Sequence, residues 1–229
     1  MSVTTSNEQA KRKKVREPIT PIKLNESKFY LVSKRMMDII GSLLGIIVLI
    51  PIFIIIILLI KIEDHRGAIF FKQIRVGRNG KEFTIYKFQS MVSNAEELKM
   101  SLLDKNDIKD GPVFKMRQDP RVTKIGKFIR KTSLDELPQI INVLKGDMSL
   151  VGPRPPLPDE VAQYSHYEKQ RLTVTPGLTC YWQVNGRSNI GFDEWVRLDL
   201  KYIQERNLLI DLKLIFKTVF VLLGSKDAY

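Results

Sequence analysis

Hydrophobic and polar positions divide this chain sharply. Residues 1–28 are polar, with a basic run at Lys11, Arg12, Lys13, Lys14 and Arg16 and too few apolar side chains to pack, which predicts a disordered tail. From Ile39 to Ile60 the pattern inverts: 22 residues carry no charge and 18 of them are Ile, Leu, Val or Phe. Beyond it, residues 69–76 and 81–88 are β-prone runs joined by Gly77-Arg78-Asn79-Gly80, whose Asn-Gly pair predicts a hairpin. Residues 92–104 read as a helix and 104–111 as a polar loop. Phe128 to Arg130 leads into a short acidic helix that Gly146 should end. Gly152-Pro153-Arg154-Pro155-Pro156-Leu157-Pro158 can only be extended and stiff. Residues 193–206 form an amphipathic pattern that groups Trp195, Leu198, Tyr202 and Ile203. Residues 208–223 follow, with Leu212, Ile215, Phe216, Val219 and Phe220 on one face and Lys213 and Lys217 placed to reach lipid headgroups.

The apolar run is long enough for a bilayer, and at −0.3 to −0.6 kcal/mol per residue its insertion is favoured by about 5–10 kcal/mol. Basic residues flank both ends: Lys34 and Arg35 before it, and Lys61, Arg66, Lys72, Arg75 and Arg78 after it. A spanning helix would carry one of these clusters outside, against the positive-inside tendency. Pro51 removes a backbone hydrogen bond mid-run, and Gly41 and Gly45 permit close packing within or between chains. A helix that bends at Pro51 and returns to the same face reconciles these facts; a plain span is the alternative.

Composition narrows the chemistry. At 229 residues the chain fits one domain plus an anchor. A net charge of +12 and a pI near 9.7 call for a polyanionic partner: nucleic acid, an anionic bilayer or a phosphorylated substrate. A lone cysteine, Cys180, excludes an internal disulfide framework, and with only two histidines a zinc site is disfavoured. Any metal would be a hard cation held by carboxylates and substrate oxygens. No secretory signal is expected, because the apolar run starts late and lacks a cleavage site.

Candidate chemistry concentrates in residues 134–154. Asp135 and Glu136 are adjacent carboxylates with Arg130 upstream and Arg154 downstream. Ser133 and Glu136 match a capping box, which would make the acids merely structural. The neighbourhood suggests more: a helix start, two arginines and a magnesium ion would hold Asp135 ionised beside a phosphate. An ionised aspartate there can attack phosphorus and form an acyl phosphate, with Arg130 and Arg154 neutralising the phosphoryl oxygens. Lys87 on the hairpin is a weaker candidate, while Asp199 and Asp211 sit on helices where surface exposure is the default. The chain has no Asp-x-Asp triplet, no P-loop and no Gly-x-Ser-x-Gly elbow.

Taken together, Lys34-Arg35-Met36-Met37-Asp38, Phe70-Phe71-Lys72-Gln73, Arg75-Val76-Gly77, Lys87-Phe88, Asp119-Pro120-Arg121-Val122-Thr123, Leu134-Asp135-Glu136-Leu137-Pro138-Gln139, Gly152-Pro153-Arg154-Pro155 and Pro176-Gly177-Leu178-Thr179 form a pattern. On these motifs, over about residues 30–225, the chain resembles the bacterial sugar transferase family, the monotopic phosphoglycosyl transferases. The resemblance implies an α/β fold, mostly helical with a small hairpin. It also implies a monotopic membrane protein at the cytoplasmic face, with a re-entrant helix broken at Pro51 and interfacial amphipathic helices. The corresponding segments are the tail at 1–28, the re-entrant helix at 29–62 and a cytosolic catalytic domain at 63–229. The implied reaction is ping-pong: Asp135 attacks the β-phosphate of a UDP-sugar and releases UMP, and polyprenyl phosphate then takes the sugar phosphate. Glu136 would assist the lipid step, and Asp135 would ligate Mg2+. Arg130, Arg154, Lys87 and Asp199 would bind phosphate or substrate. The chain departs from common family patterns at Ile50, Ala68 and Gln89, where Ser, Pro and Arg are usual.

A hexose donor, galactose or glucose, is favoured for exopolysaccharide or capsule synthesis, and the chain is expected to be a minimal form of the family. Downstream glycosyltransferases are candidate partners. The rival readings are a non-catalytic basic adaptor on the membrane and a nucleic-acid binder. The adaptor gives no reason for paired acids between arginines, and the apolar run disfavours nucleic acid.

Overall fold

The computed structural model describes residues 22, 24–99, 101–102, 112, 116, 118–185 and 190–224. Most of the predicted tail and the loop expected at 104–111 lie outside them. Where the described chain begins, Ile22 and Leu24 already pack against the core, and Asn25 exchanges hydrogen bonds with Arg206.

Helix α1, Lys28–Glu63, contains the apolar run and continues through Pro51 without interruption. At 1.5 Å per residue its 36 residues reach about 54 Å. One face docks on the protein through Tyr30, Lys34, Asp38, Ser42, Ile56 and Ile60. The opposite face leaves Phe29, Met36, Ile40, Leu43, Ile47, Ile50, Ile54, Leu58 and Ile62 exposed at helical spacing along its length. Only 11% of its most apolar window is buried by protein, so the rest needs an apolar medium.

The polar motif at the start of α1 is its docking key. Arg35 donates to the carbonyls of Val143 and Leu144 at 2.7 Å, at the C-terminal end of helix α4 (Ile140–Lys145), where a cation is favoured. Asp38 accepts from the Ser149 hydroxyl at 3.0 Å and the Leu150 amide at 2.9 Å. A Cβ on Gly41 or Gly45 would meet Leu150 at 2.7 Å or Ile140 at 2.5 Å, so this Gly-x-x-x-Gly pair serves packing within the chain. Asp211, expected on the surface, is instead fully buried. It accepts from Lys34 and Tyr30 at 3.0 Å and from Tyr202 at 2.7 Å.

The hairpin forms as predicted, from β1 (Phe70–Val76) and β2 (Glu82–Phe88), with Asn79 at φ 56° in its turn. Helix α2 spans Ala95–Lys99, starting later than the predicted 92; residues 100, 103 and 104 of the predicted 92–104 lie outside the described residues. Asp119 and Arg121 clasp each other at 2.6–2.9 Å, and Arg121 also donates to the Ala95 carbonyl, so this motif staples loops together. Helix α3, Lys124–Lys131, is capped by Thr123 and by Glu63, whose carboxylate accepts from the Lys124 and Ile125 amides. A 3₁₀ turn, Leu134–Gln139, leads into α4, which ends at Gly146 in the left-handed region as expected.

Strands β3 (Ser149–Val151) and β4 (Gly177–Thr179) pair in parallel. Beside them the Gly-Pro-Arg-Pro and Pro-Gly-Leu-Thr motifs cross so closely that a Cβ on Gly177 would lie 2.1 Å from the Gly152 nitrogen. The remaining helices are α5 (Pro158–Ala162), α6 (His166–Lys169), α7 (Tyr181–Asn185), α8 (Phe192–Glu205) and α9 (Leu208–Gly224). The main core gathers Val151, Cys180, Val196, Tyr202, Ile203 and Leu214, and a second cluster joins Ile56 and Ile60 of α1 to Phe88 and Ile129. Leu212, Phe216, Val219 and Phe220 of α9 are exposed, whereas Ile215, expected on the same face, packs against the main core.

Candidate active site

One face of the hairpin builds the floor of a cavity. Cross-strand pairs share a face, so Phe71 with Lys87, Gln73 with Ile85 and Arg75 with Phe83 all point the same way. Arg75, Ile85 and Lys87 line the cavity, joined by Glu136 and Gln139 from the 3₁₀ turn and by Arg154 and Pro155. Gly177, Leu178, Trp182 and Gln183 close it.

The acidic pair is held differently from the capping-box expectation. Ser133 sits in the left-handed region (φ 55°, ψ 19°) with no side-chain capping bond, because that backbone turns its hydroxyl away from the following amides. Glu136 therefore does not reach back; its carboxylate meets Lys87 Nζ at 2.6 Å. The purely structural account of the two acids loses its bond. Asp135 is buried, and burial raises its pKa to about 6, opposed by Lys87 and assisted by Glu136. The same Lys87 charge pulls Glu136 below the usual carboxylate range. Neighbouring carboxylates thus differ in basicity, a pattern typical of divided roles.

Three cations line the cavity against the single carboxylate of Glu136. Arg75 is buried and donates to Gln73 Oε1 at 2.7 Å and to the Pro155 carbonyl at 3.0 Å. Burial, then the Arg154 charge, lowers its pKa to about 9, so it stays cationic at neutral pH. Arg154 lies over the Trp195 ring at 5.1 Å, and its nearest acid, Glu160, is 4.0 Å away. That leaves guanidinium N–H groups available to a phosphate.

Of the expected site residues, Glu136, Lys87 and Arg154 line the cavity, while Asp135 is buried just outside the lining, beside Glu136 and within reach of the Lys87 charge. Arg130 stands at the end of α3, outside the cavity lining, where its charge acts on Asp135. Asp199 is fully buried rather than exposed, and bonds to Arg171 at 2.7–2.9 Å. Arg171 in turn donates to Tyr164 and lies over Trp195 at 5.3 Å, so Asp199 belongs to a packed layer behind Arg154 rather than to the lining. Cys180 is fully buried close to the same carboxylate, and burial pushes its thiol well up, away from reactivity. Sequence reasoning missed Arg75 and Trp182. For Arg75 the signal was present, since it alternates with Gln73 and Phe71 on the strand that opposes Lys87.

Known proteins resemble this chain over most of its length. The galactosyl transferase CpsE of Streptococcus agalactiae is 51% identical over 206 residues, covering 86% of this chain and 45% of the relative. An undecaprenyl-phosphate galactose phosphotransferase of Salmonella typhimurium is 44% identical, over 86% of this chain and 41% of its own length. This chain thus spans less than half the length of those two relatives. The exopolysaccharide production protein ExoY of Sinorhizobium fredii, 37% identical, is covered over 88% of its length. The description of bacterial sugar transferases matches residues 29–225, nearly the whole chain, and the chain belongs to that family.

Proposed function

We propose that this protein transfers a hexose 1-phosphate, galactose or glucose, from a UDP-sugar to polyprenyl (undecaprenyl) phosphate, starting an exopolysaccharide or capsule repeat unit. The observation that carries the reading is a buried, basic-shifted Asp135 next to a cavity whose cations outnumber its lining carboxylates. A diphosphate supplies the missing negative charge.

In the first step an Asp135 oxygen attacks the β-phosphorus. The bond from that phosphorus to the bridging oxygen breaks, UMP leaves with the electron pair, and a sugar phosphate remains on Asp135. Arg75 and Arg154 hold the phosphoryl oxygens as charge shifts, and Arg130 steadies the carboxylate from behind. In the second step an oxygen of the lipid phosphate attacks the same phosphorus and frees the Asp135 carboxylate. Glu136 is a weak base while Lys87 touches it. A phosphate that draws Lys87 away raises its basicity, so it can take a proton from the entering lipid phosphate.

Magnesium fits Asp135, since one or two carboxylates plus substrate oxygens are its usual share and the neighbouring Glu136 is taken by Lys87. Among the described residues no cluster of three or more His, Cys, Asp or Glu would hold it without substrate. Bound at Asp135 and substrate oxygens, it would neutralise diphosphate charge. Both ends of α1 engage one body: Tyr30 bonds Asp211 and Glu63 caps α3. This supports a path that keeps the body on a single side, although α1 stays helical through Pro51 rather than breaking there, and the basic flanks favour the cytoplasmic side.

The test is to mix detergent-purified protein with UDP-galactose or UDP-glucose without acceptor. Up to one UMP per site should appear, with a hexose-phosphate mass on the peptide containing Asp135. UMP release only after lipid is added, with no adduct, would replace the two-step route by direct transfer. No UMP under either condition would favour the adaptor.

A further inference from the structure

The cavity has two unlike ends, and the hairpin register separates them. From one end to the other the pairs run Phe71–Lys87, Gln73–Ile85, Arg75–Phe83, with each two-residue step about 6.8 Å. The Lys87 end adjoins the apolar helix. Phe88, the next residue, packs edge-on against Phe53 of α1 at 5.2 Å and stacks on Phe70 at 5.4 Å. Leu134, which precedes Asp135, packs into the same cluster as Ile56 and Ile60 of α1. Two consecutive pairs, Lys87-Phe88 and Leu134-Asp135, therefore each place one residue in the site and its neighbour against the apolar helix. The far end is polar and aromatic, where Arg75, Arg154, Trp182 and Gln183 meet. Phe71 faces the Lys87 side of the hairpin yet remains 36% exposed.

We propose that Phe71 is the doorway for the lipid acceptor: the isoprenoid chain lies across its exposed ring, at the end of the hairpin nearest α1, and delivers its phosphate to Lys87 and Asp135. The uridine of the donor lies at the Arg75–Arg154–Trp182 end. This inference rests on the function proposed above. A phosphate monoester on a long apolar chain needs a cation and an open apolar surface side by side, and the Phe71–Lys87 pair offers both, one residue along each strand from the Phe70–Phe88 pair that meets α1 on the opposite face. The two phosphates use the same centre in turn, because the second displacement enters where UMP departed; only the uridine and the isoprenoid tail diverge.

Kinetics in detergent micelles test this independently of bilayer anchoring. With Phe71→Ala, UMP release from UDP-galactose without lipid should be unchanged, while KM for undecaprenyl phosphate should rise about tenfold, the loss of one apolar contact. Phe71→Leu, which keeps apolar area, should restore most of the affinity. An unchanged lipid KM, or an equal loss in the lipid-free step, would overturn the proposal. If the native protein releases no UMP without lipid, the two-step route fails, and the ratio of lipid KM to UDP-galactose KM still decides the role of Phe71. A benzophenone amino acid at position 71 gives a second measurement that does not depend on turnover. It should crosslink to undecaprenyl phosphate and not to UDP-galactose, and the reverse pattern would sink the idea.

Discussion

Lys34 and Arg75 are buried to the same degree, 7% and 6% exposed, yet their surroundings differ in kind. The Lys34 ammonium lies 3.0 Å from Asp211, which Tyr30 and Tyr202 also serve, so the charge is answered inside the protein. The Arg75 guanidinium hydrogen-bonds only to neutral oxygens of Gln73 and Pro155; Glu160 and Glu136 act on it from a distance, outweighed by burial and a second arginine, which together lower its pKa. Burying a cation without its anion is costly, and the cost is tolerated where a ligand brings the anion. The first region is a completed joint; the second is a socket.

The sharpest break in this contrast is Asp135→Asn. A neutral amide cannot form the acyl phosphate, so turnover should fall by at least about 10³-fold. The fold should not suffer. Because the folded pKa of Asp135 is raised, its stabilising share is complete below the unfolded value and is lost as pH rises through about 6. The amide should therefore equal or exceed the native protein in stability above pH 6, by up to about 1–3 kcal/mol, read from paired thermal melts at pH 5 and pH 8. By the same shift, lipid-free UMP release should decline as pH drops through about 6.

Asp211→Ala attacks the joint instead. It strands a buried ammonium and two phenols, and should cost about 3–5 kcal/mol of stability, with activity lost in proportion to unfolding. Denaturation of the detergent-solubilised protein, followed by fluorescence of its two tryptophans, measures it. Next in size come Arg75→Ala and Arg154→Ala, each expected to lower turnover by about 10²–10³-fold while leaving the melting temperature near native. If Arg75→Ala unfolds the protein as Asp211→Ala does, the distinction between socket and joint is wrong. The smallest change is Asn79→Ala in the hairpin turn, where a left-handed φ of 56° should cost about 1 kcal/mol and leave turnover untouched.

What the sequence disclosed follows the range of each interaction. The hairpin and the Gly146 stop rest on neighbours within a few residues, and they formed where expected. Asp199 and Asp211 depend on partners 28 and 177 residues away, so helix position alone suggested the wrong surroundings. The capping box failed for a related reason: Lys87, 49 residues from Glu136, outcompeted a local amide. Arg75 lies between these cases. Its alternation with Gln73 was readable, but its meaning depends on Arg154 arriving through the crossing of two glycine-bearing loops.

The seating of α1 bears on regulation. Ile56 and Ile60 belong to the same cluster as Phe88 and Ile129, and Glu63 caps the helix that carries Arg130. A peripheral enzyme held by a tether can be switched off by shedding it into solution, with its active site intact. Here cutting the anchor would remove part of the wall behind Lys87 and Asp135. On the proposed function, such a protein would have no active released form, and its output would be governed by the supply of donor and lipid carrier or by its own synthesis and destruction.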